Sequence, residues 1–173
     1  EAIAEADLIT LGPGSLYTSV IPNLLVDGVS EALAASRAHK IYICNLMWEP
    51  GETEGYSAAD HVRALHEHAG RGLLDCAFVN NRPIPTRAAR VYGAQGAFAV
   101  EADIEALEAL GVGAICTDIL ARGLPLRHDS ARLARMLAVA AQESRERKLL
   151  DRLFERAAIR PAEPADTKKA RRP

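Results

Sequence analysis

A glycine-rich turn near the start of the chain contains residue types suited to binding an anion. The apolar run ADLITL is followed by Gly-Pro-Gly-Ser (12–15) and then by the hydroxyl side chains of Thr18 and Ser19. Glycine lets the backbone approach a ligand closely and adopt positive φ. A helix that begins at Ser15 or Leu16 would direct free N–H groups and its positive dipole end towards this turn. The pattern favours phosphate binding, and the alternative is a tight turn in which Ser15 is only an N-cap.

The loop that follows the second apolar run is a further candidate. The segment MWEPGETEGYS is longer than the typical connection of about 4–6 residues, and long loops at strand ends often carry binding groups. Its acids, Glu49, Glu52 and Glu54, could hold Mg²⁺, although acids in loops are more often simply solvated. Asp118, which follows the fourth apolar run, is a candidate for a catalytic base or a ligand, and an exposed loop acid is the alternative.

Other chemically active side chains are better explained structurally. His61 and His68 share one face of a predicted helix and His66 lies elsewhere on it, so that no i, i+4 pair exists and we predict surface histidines. Trp48 is predicted to pack rather than to stack on a base. The cysteines are dispersed and form no Cys-x-x-Cys pair, which predicts buried core residues in a reducing cytoplasm. They are Cys44, Cys76 and Cys116.

Four short apolar runs predict the strands that position these loops. They are ADLITLG (6–12), HKIYICNL (39–46), LLDCAFVN (73–80) and GAICTDIL (113–120). They are apolar on both alternations, which is typical of parallel strands covered on both faces. Helical spacing occurs between them, in 23–36, 57–70 and 103–111. This alternation predicts an α/β protein with a three-layer α/β/α, Rossmann-like domain and a mostly parallel sheet, in which ligands bind at the carboxyl ends of the strands.

The boundaries of several helices are also predicted. Ser57 followed by Asp60 resembles a capping box, and Gly70 and Gly111 are plausible helix stops.

The segment from His128 onwards has no helix breaker for about eight turns and predicts a long helix with an intermittent apolar stripe. Asp129 or Ser130 would be its N-cap. Residues 1–158 therefore form the predicted domain, and 159–173 are predicted to be a disordered basic tail.

Composition and charge exclude some classes of function. Of 173 residues, 49% are hydrophobic and 25% are charged, with a net charge of −2, so that no general affinity for nucleic acid is implied. No apolar run approaches the roughly 20 residues that a membrane span needs. The chain does not begin with Met and opens inside what reads as a helix end, so we expect a fragment or a processed chain.

Two blocks of sequence resemble the bacterial gluconeogenesis factor (YvcK-like) family, which is related to the 2-phospho-L-lactate transferases (CofD-like). They are ADLITLGPGSLYTSVIPNLLVDGVSEAL and IYICNLMWEPGETEGYSAADHVRAL. The resemblance extends from about Glu1 to the RHDSARLA segment. It implies a Rossmann-like domain in which the Gly-Pro-Gly-Ser loop lines a nucleotide or phosphate pocket. The residues to which it assigns this binding are Gly12, Gly14, Ser15, Tyr17, Thr18, Ser19, Asn45, Thr53 and Gly55.

The resemblance implies two functions. The gluconeogenesis-factor branch implies a cytoplasmic regulatory protein that binds UDP-sugars and is linked to gluconeogenic growth, cell shape and cell-wall synthesis. The transferase branch implies transfer of a phospholactyl group from a guanosine nucleotide to a deazaflavin, with Mg²⁺. The Leu-Tyr-Thr-Ser motif (16–19) favours the gluconeogenesis-factor branch. A hypothesis of another class is an assembly module in which the long helix forms a homo-oligomer.

The sequence departs from the family pattern in two places. The family has Met-Thr-Gln-Pro-Gly-Glu-Thr, whereas this chain has Trp48 and Glu49 in place of the Thr and the Gln. An aromatic ring and an acid therefore replace smaller or neutral groups beside the expected pocket. The family's amino-terminal Gly-Gly-Gly-Thr-Gly phosphate loop is absent from these residues. The resemblance therefore implies that this chain is the carboxyl-terminal portion of one nucleotide-binding domain, with a sheet that is incomplete at its amino-terminal side and with part of the site outside these residues.

Overall fold

The chain folds around a four-stranded parallel sheet whose strands lie side by side in chain order, β1-β2-β3-β4. The structure is a computed structural model that describes residues 1–157, with side chains to residue 149. The strands are β1 (Leu8–Leu11), β2 (His39–Ile43), β3 (Cys76–Asn80) and β4 (Gly113–Thr117). All four fall inside the predicted runs, and the predicted parallel sheet is confirmed. The prediction for 159–173 lies outside the described residues.

Helices connect the strands and cover the sheet. They are α1 (Ala2–Glu5), a π-helical turn (Leu16–Val20), α2 (Ile21–Leu24), α3 (Val29–Ala35), α4 (Ala58–Ala69), α5 (Thr86–Gly93), α6 (Ile104–Ala109) and α7 (Ser130–Ala157). The predicted helix 23–36 is broken into α2 and α3, because Gly28 takes the left-handed φ of 81° at the start of α3. The short helix α5 was not predicted.

Two apolar clusters, one on each face of the sheet, show the three layers. Because successive side chains of a strand point to opposite faces, Tyr42 joins one cluster and its neighbours Ile41 and Ile43 join the other. Helices α4 and α6 pack on the Tyr42 face, where Leu107 is fully buried. Helix α7 covers the other face through Leu133. Burial on both sides explains why the strand sequences are apolar throughout.

Helix α7 is held in place at its start and again near residues 144 and 145. Asp129 caps its start by accepting a hydrogen bond from the Arg132 amide at 2.9 Å, as predicted. Further along, the Ser144 hydroxyl donates to the Asp7 carbonyl at 2.6 Å, and the Asp7 carboxylate pairs with Arg145 at 2.9 Å. Since Asp7 directly precedes β1, α7 runs from the carboxyl edge of the sheet back to its amino edge.

Helix α4 begins at the predicted capping box of Ser57 and Asp60 and ends at Gly70. The prediction of surface histidines on this helix is wrong for two of the three. His61 is fully buried, with its ring 6.3 Å from that of Tyr42, and His66 is also buried. The reason is that α4 is an inner helix whose sheet-facing side carries His61. Only His68 of the three is exposed.

The remaining structural predictions concern the cysteines, Trp48 and membrane-spanning segments. Cys44 and Cys76 are buried free thiols as predicted, whereas Cys116 is half-buried. Trp48 packs against the edge of the Phe98 ring at 5.2 Å and donates its indole N–H to the Tyr56 carbonyl. Among the described residues, no helix is long and apolar enough to cross a membrane.

Candidate functional site

The glycine-rich turn lies against the end of the neighbouring strand. Gly12 has φ of 83°, and a Cβ at this position would lie 3.0 Å from the carbonyl oxygen of Ile43. The Gly12–Pro13 peptide bond is cis. A side chain at residue 12 would therefore meet both backbone strain and the backbone of β2. The glycine brings the turn within contact of the carboxyl end of β2.

Several amides of this turn have no acceptor inside the described chain. The N–H groups of Ser19 and Val20 donate to the Ser15 carbonyl, whereas those of residues 14–17 donate to no acceptor within residues 1–157. Such N–H groups at the start of a helical segment suit a negatively charged oxygen. The turn also borders a mostly apolar cavity of about 370 Å³ between β1 and the helices α2 and α3.

The hydroxyl groups of the turn are already partly engaged. The Ser15 hydroxyl donates to the Glu52 carboxylate at 2.7 Å, and the Thr18 hydroxyl donates to Ser15 at 2.6 Å. Ser19 is exposed. The Tyr17 and Tyr56 hydroxyls lie 2.9 Å apart, and this hydrogen bond, with burial, raises the pKa of Tyr17 to about 12. The structure thus joins the turn to the second loop through hydroxyl and carboxylate groups.

Three further predicted binding residues lie on or before the second loop. Thr53 is fully buried, and its hydroxyl accepts from the Glu49 amide at 2.9 Å, so that it holds the loop together. Asn45 is also buried, and its amide nitrogen donates to the Glu49 carboxylate at 3.1 Å. Gly55 is exposed and takes φ of 77° with open space around it.

The acids of the second loop do not form a three-carboxylate metal site. Glu54 turns back and accepts a hydrogen bond from the Gly51 amide, and no group of three or more His, Cys, Asp or Glu residues within 1–149 is placed to hold a metal ion. Glu49 and Glu52 adjoin Ser15 and are the groups that would supply ligands if Mg²⁺ accompanied a phosphate. Burial, with a contribution from Glu52, raises the pKa of Glu49 despite a hydrogen bond from Ser15.

A larger cavity, of about 540 Å³, lies where β3 and β4 end and α7 begins. Its lining is rich in guanidinium groups and carries more positive than negative side chains. The lining residues are Arg82, Asp118, Leu120, Ala121, Arg122, Arg127, His128, Asp129, Ser130 and Arg132. Arginine binds phosphate through several donors at once, so this cavity has the chemistry of an anion site. We call it the arginine pocket.

Asp118 fixes two of the four arginines. Its carboxylate lies 2.7 Å from Arg132 and 3.7 Å from Arg82, and the hydrogen bond from Arg132 is the main cause that lowers the pKa of Asp118. An ionised, paired carboxylate positions its arginines. Arg122 and Arg127 have no acidic partner among the described side chains, which leaves their guanidinium groups for a ligand.

The arginine pocket adjoins the glycine turn through the end of β2. The His128 ring, which lines the pocket, lies 3.0 Å from the Cys44 carbonyl through its Nε2 atom, and burial lowers the pKa of His128. Cys44 follows Ile43, the residue that Gly12 approaches. Pocket and turn are therefore neighbours along one edge of the sheet.

The arginine pocket was not predicted from the sequence, which gave Arg122, Arg127 and Arg132 no role. The available signal was the recurrence of arginine in the segments that follow β3 and β4, because those segments share the ligand-binding edge of a parallel sheet.

A parallel α/β/α domain with a glycine turn and a basic cavity at the carboxyl edge of the sheet is a Rossmann-like protein, a class that binds ligands at that edge. Residues 1–120 match the family model described as 2-phospho-L-lactate transferase CofD. The chain belongs to this family.

Several bacterial proteins are relatives of this chain. The chain is 45% identical to the gluconeogenesis factor of Bacillus subtilis, over 83% of this chain and 45% of that protein. It is 48% identical to a putative gluconeogenesis factor of Thermoanaerobacterium thermosulfurigenes, over 78% of this chain and 42% of the relative. A crystal structure of a Bacillus halodurans protein of the UPF0052 family shares the fold with a TM-score of 0.77 and 44% identity, covering 79% of this chain and 44% of the other. This chain thus spans less than half the length of these relatives.

Proposed function

We propose that the protein binds a nucleotide sugar of the UDP-sugar class and acts as a cytoplasmic regulator linked to gluconeogenic growth, cell shape and cell-wall synthesis. The observation that carries the binding proposal is the arginine pocket. Within the described residues, its Arg122 and Arg127 have no acidic partner, and the amides of residues 14–17 in the neighbouring turn have no acceptor. A diphosphate is the anion that would use both groups of donors. Relatives that are named gluconeogenesis factors support the regulatory part.

Titration calorimetry with UDP-N-acetylglucosamine on the full-length protein tests the binding proposal. Replacement of one ligand-bound arginine removes a charge-assisted hydrogen bond, which contributes about 1.5–3 kcal/mol, so Arg127→Ala should weaken binding by roughly tenfold or more. Arg135→Ala is the matched control, because Arg135 is an exposed arginine on α7 that does not line the pocket.

Two results would contradict the proposal. One is the absence of binding heat at millimolar ligand with a folded protein. The other is an equal loss of affinity in Arg127→Ala and Arg135→Ala, because a general reduction of positive charge would then explain the effect.

The description of the family model favours an alternative, the transfer of a phospholactyl group to a deazaflavin. Catalysis would then depend on charge neutralisation by the loop amides, the arginines and Mg²⁺. Incubation with a deazaflavin, the activated phospholactyl donor and Mg²⁺ should yield a new chromatographic product. An unchanged chromatogram counts against this function and leaves UDP-sugar binding untouched.

A further inference from the structure

We propose that Glu49 is a specificity-determining residue that accepts hydrogen bonds from the sugar of the bound nucleotide sugar. This inference rests on the proposed function, and it adds the place and chemistry of the sugar subsite. It is carried by the position of Glu49 beside the glycine turn, by the charge of its surroundings and by an unsatisfied buried amide oxygen next to it.

Glu49 differs from the arginines both in charge and in position along the candidate site. The arginine pocket reaches the end of β2 through the 3.0 Å contact of His128 with the Cys44 carbonyl. The next residue, Asn45, donates to the Glu49 carboxylate at 3.1 Å. Glu49 and the wall of the arginine pocket are thus both linked by hydrogen bonds to the two residues that follow β2.

The charge around Glu49 disfavours a phosphate in direct contact with its carboxylate, although the turn amides beside it can bind one. Glu49 adjoins Glu52, and the Ser15 hydroxyl donates to the Glu52 carboxylate at 2.7 Å. Two carboxylates repel a phosphate group, whereas ionised carboxylates are strong acceptors for hydroxyl and amide hydrogens. The part of a ligand that suits these carboxylates is therefore uncharged and rich in hydrogen-bond donors, as a sugar is.

An unsatisfied acceptor beside Glu49 also indicates a missing donor. The Asn45 side chain is only 9% exposed, and its Oδ1 atom has no hydrogen-bond partner among the described residues. Buried polar atoms are nearly always hydrogen-bonded, so an orphaned amide oxygen calls for a group that the chain itself does not supply. A donor-rich ligand seated on Glu49 is placed to satisfy this amide, directly or after a small side-chain rotation.

The test compares two ligands on two variants of the full-length protein. Calorimetry measures the dissociation constants of UDP and of UDP-N-acetylglucosamine, which share the diphosphate and differ in the sugar. Glu49→Gln keeps the size of the side chain and an acceptor oxygen for the Asn45 amide, so it should fold. Glu54→Gln is the matched control, because Glu54 lies on the same loop and is exposed.

We expect the wild-type protein to prefer the nucleotide sugar over UDP. Glu49→Gln should reduce this preference about tenfold, the loss of one charge-assisted hydrogen bond, while the affinity for UDP stays within about twofold or rises. Glu54→Gln should leave the preference unchanged. If Glu49 had a purely structural role, Glu49→Gln would lower the affinity for both ligands alike.

Three outcomes overturn the inference. If Glu49→Gln leaves the preference for the nucleotide sugar over UDP unchanged, Glu49 does not recognise the sugar. An equal change in Glu54→Gln shows that loop charge alone is responsible. Binding of UDP and the nucleotide sugar with equal affinity by the wild-type protein removes the sugar subsite but keeps the diphosphate site, whereas binding of neither ligand refutes the proposed function itself.

Discussion

Replacement of Gly12 by alanine should destabilise the protein through two separable effects. The first is backbone strain, because residue 12 has φ of 83° and a left-handed conformation costs a non-glycine residue roughly 1–2 kcal/mol. The second is crowding, because the new Cβ would lie 3.0 Å from the Ile43 carbonyl oxygen, a backbone atom of β2 that cannot rotate away. Overpacking of this kind typically costs about 1–3 kcal/mol. The sum is a loss of about 2–5 kcal/mol.

Gly51 provides a control that has the strain without the crowding. Its φ is 86°, and a Cβ there would meet no atom within 4 Å. Gly51→Ala should therefore lose only about 1–2 kcal/mol. Urea denaturation followed by circular dichroism gives the free energy of unfolding of both variants. The difference between them, about 1–3 kcal/mol, measures the close approach of the turn to β2.

Equal stabilities of the two alanine variants would refute the reasoning, because the turn would then have room beside β2. The same experiment bears on the ligand site. A turn pushed away from β2 also moves its free amides away from the arginine pocket, so Gly12→Ala should bind UDP more weakly than Gly51→Ala does.

Three further predictions concern the core, a buried histidine and the attachment of α7. Phe78 is 2% exposed, so Phe78→Ala should lower the free energy of unfolding by about 3–5 kcal/mol in urea titrations; a loss below 1 kcal/mol would contradict its core position. Burial lowers the pKa of His61 in the folded state, so the unfolded chain takes up its proton first and stability is lost as pH falls below about 6.5. His61→Gln should therefore show a smaller stability loss than the wild type between about pH 7 and pH 5, and equal losses would oppose this account. Asp7→Asn removes the ionic partner of Arg145, so hydrogen exchange should accelerate in 141–148 and stay unchanged in β3; unaltered protection in 141–148 would show that the pairing does not fix α7.

The sheet could be predicted from sequence because its apolar runs are short and alternate with segments of helical spacing, which together indicate buried parallel strands. The helices were predicted less well where local rules compete with packing. The run 23–36 has continuous helical spacing, yet Gly28 takes a left-handed conformation and divides it. His61 looked like a surface residue because its burial depends on contacts with Tyr42 and Tyr56, which lie outside α4.

The candidate site, like the fold, could be predicted only in part. The glycine turn is a local motif that could be recognised from the glycines alone, whereas its close approach to β2 was not predicted. The arginine pocket is assembled from residues up to 50 positions apart, from Arg82 to Arg132, and no spacing rule joins them. Only the parallel topology, which brings the segments after β3 and β4 to one edge, makes them neighbours. The interaction of Ser15 with Glu52 likewise spans two loops and leaves no sequence pattern.

The distribution of charge along this edge constrains the chemistry of the ligand. Adjacent strands lie about 4.8 Å apart, so the ends of β1 and β4 are separated by roughly 14 Å. The carboxylates of Glu49 and Glu52 lie towards β1 and β2, and the arginines lie towards β3 and β4. A free phosphate would use the arginines and the turn amides but not these carboxylates. The proposed nucleotide sugar carries groups for both kinds of partner, because its diphosphate joins a nucleoside to a sugar that is rich in hydroxyl groups.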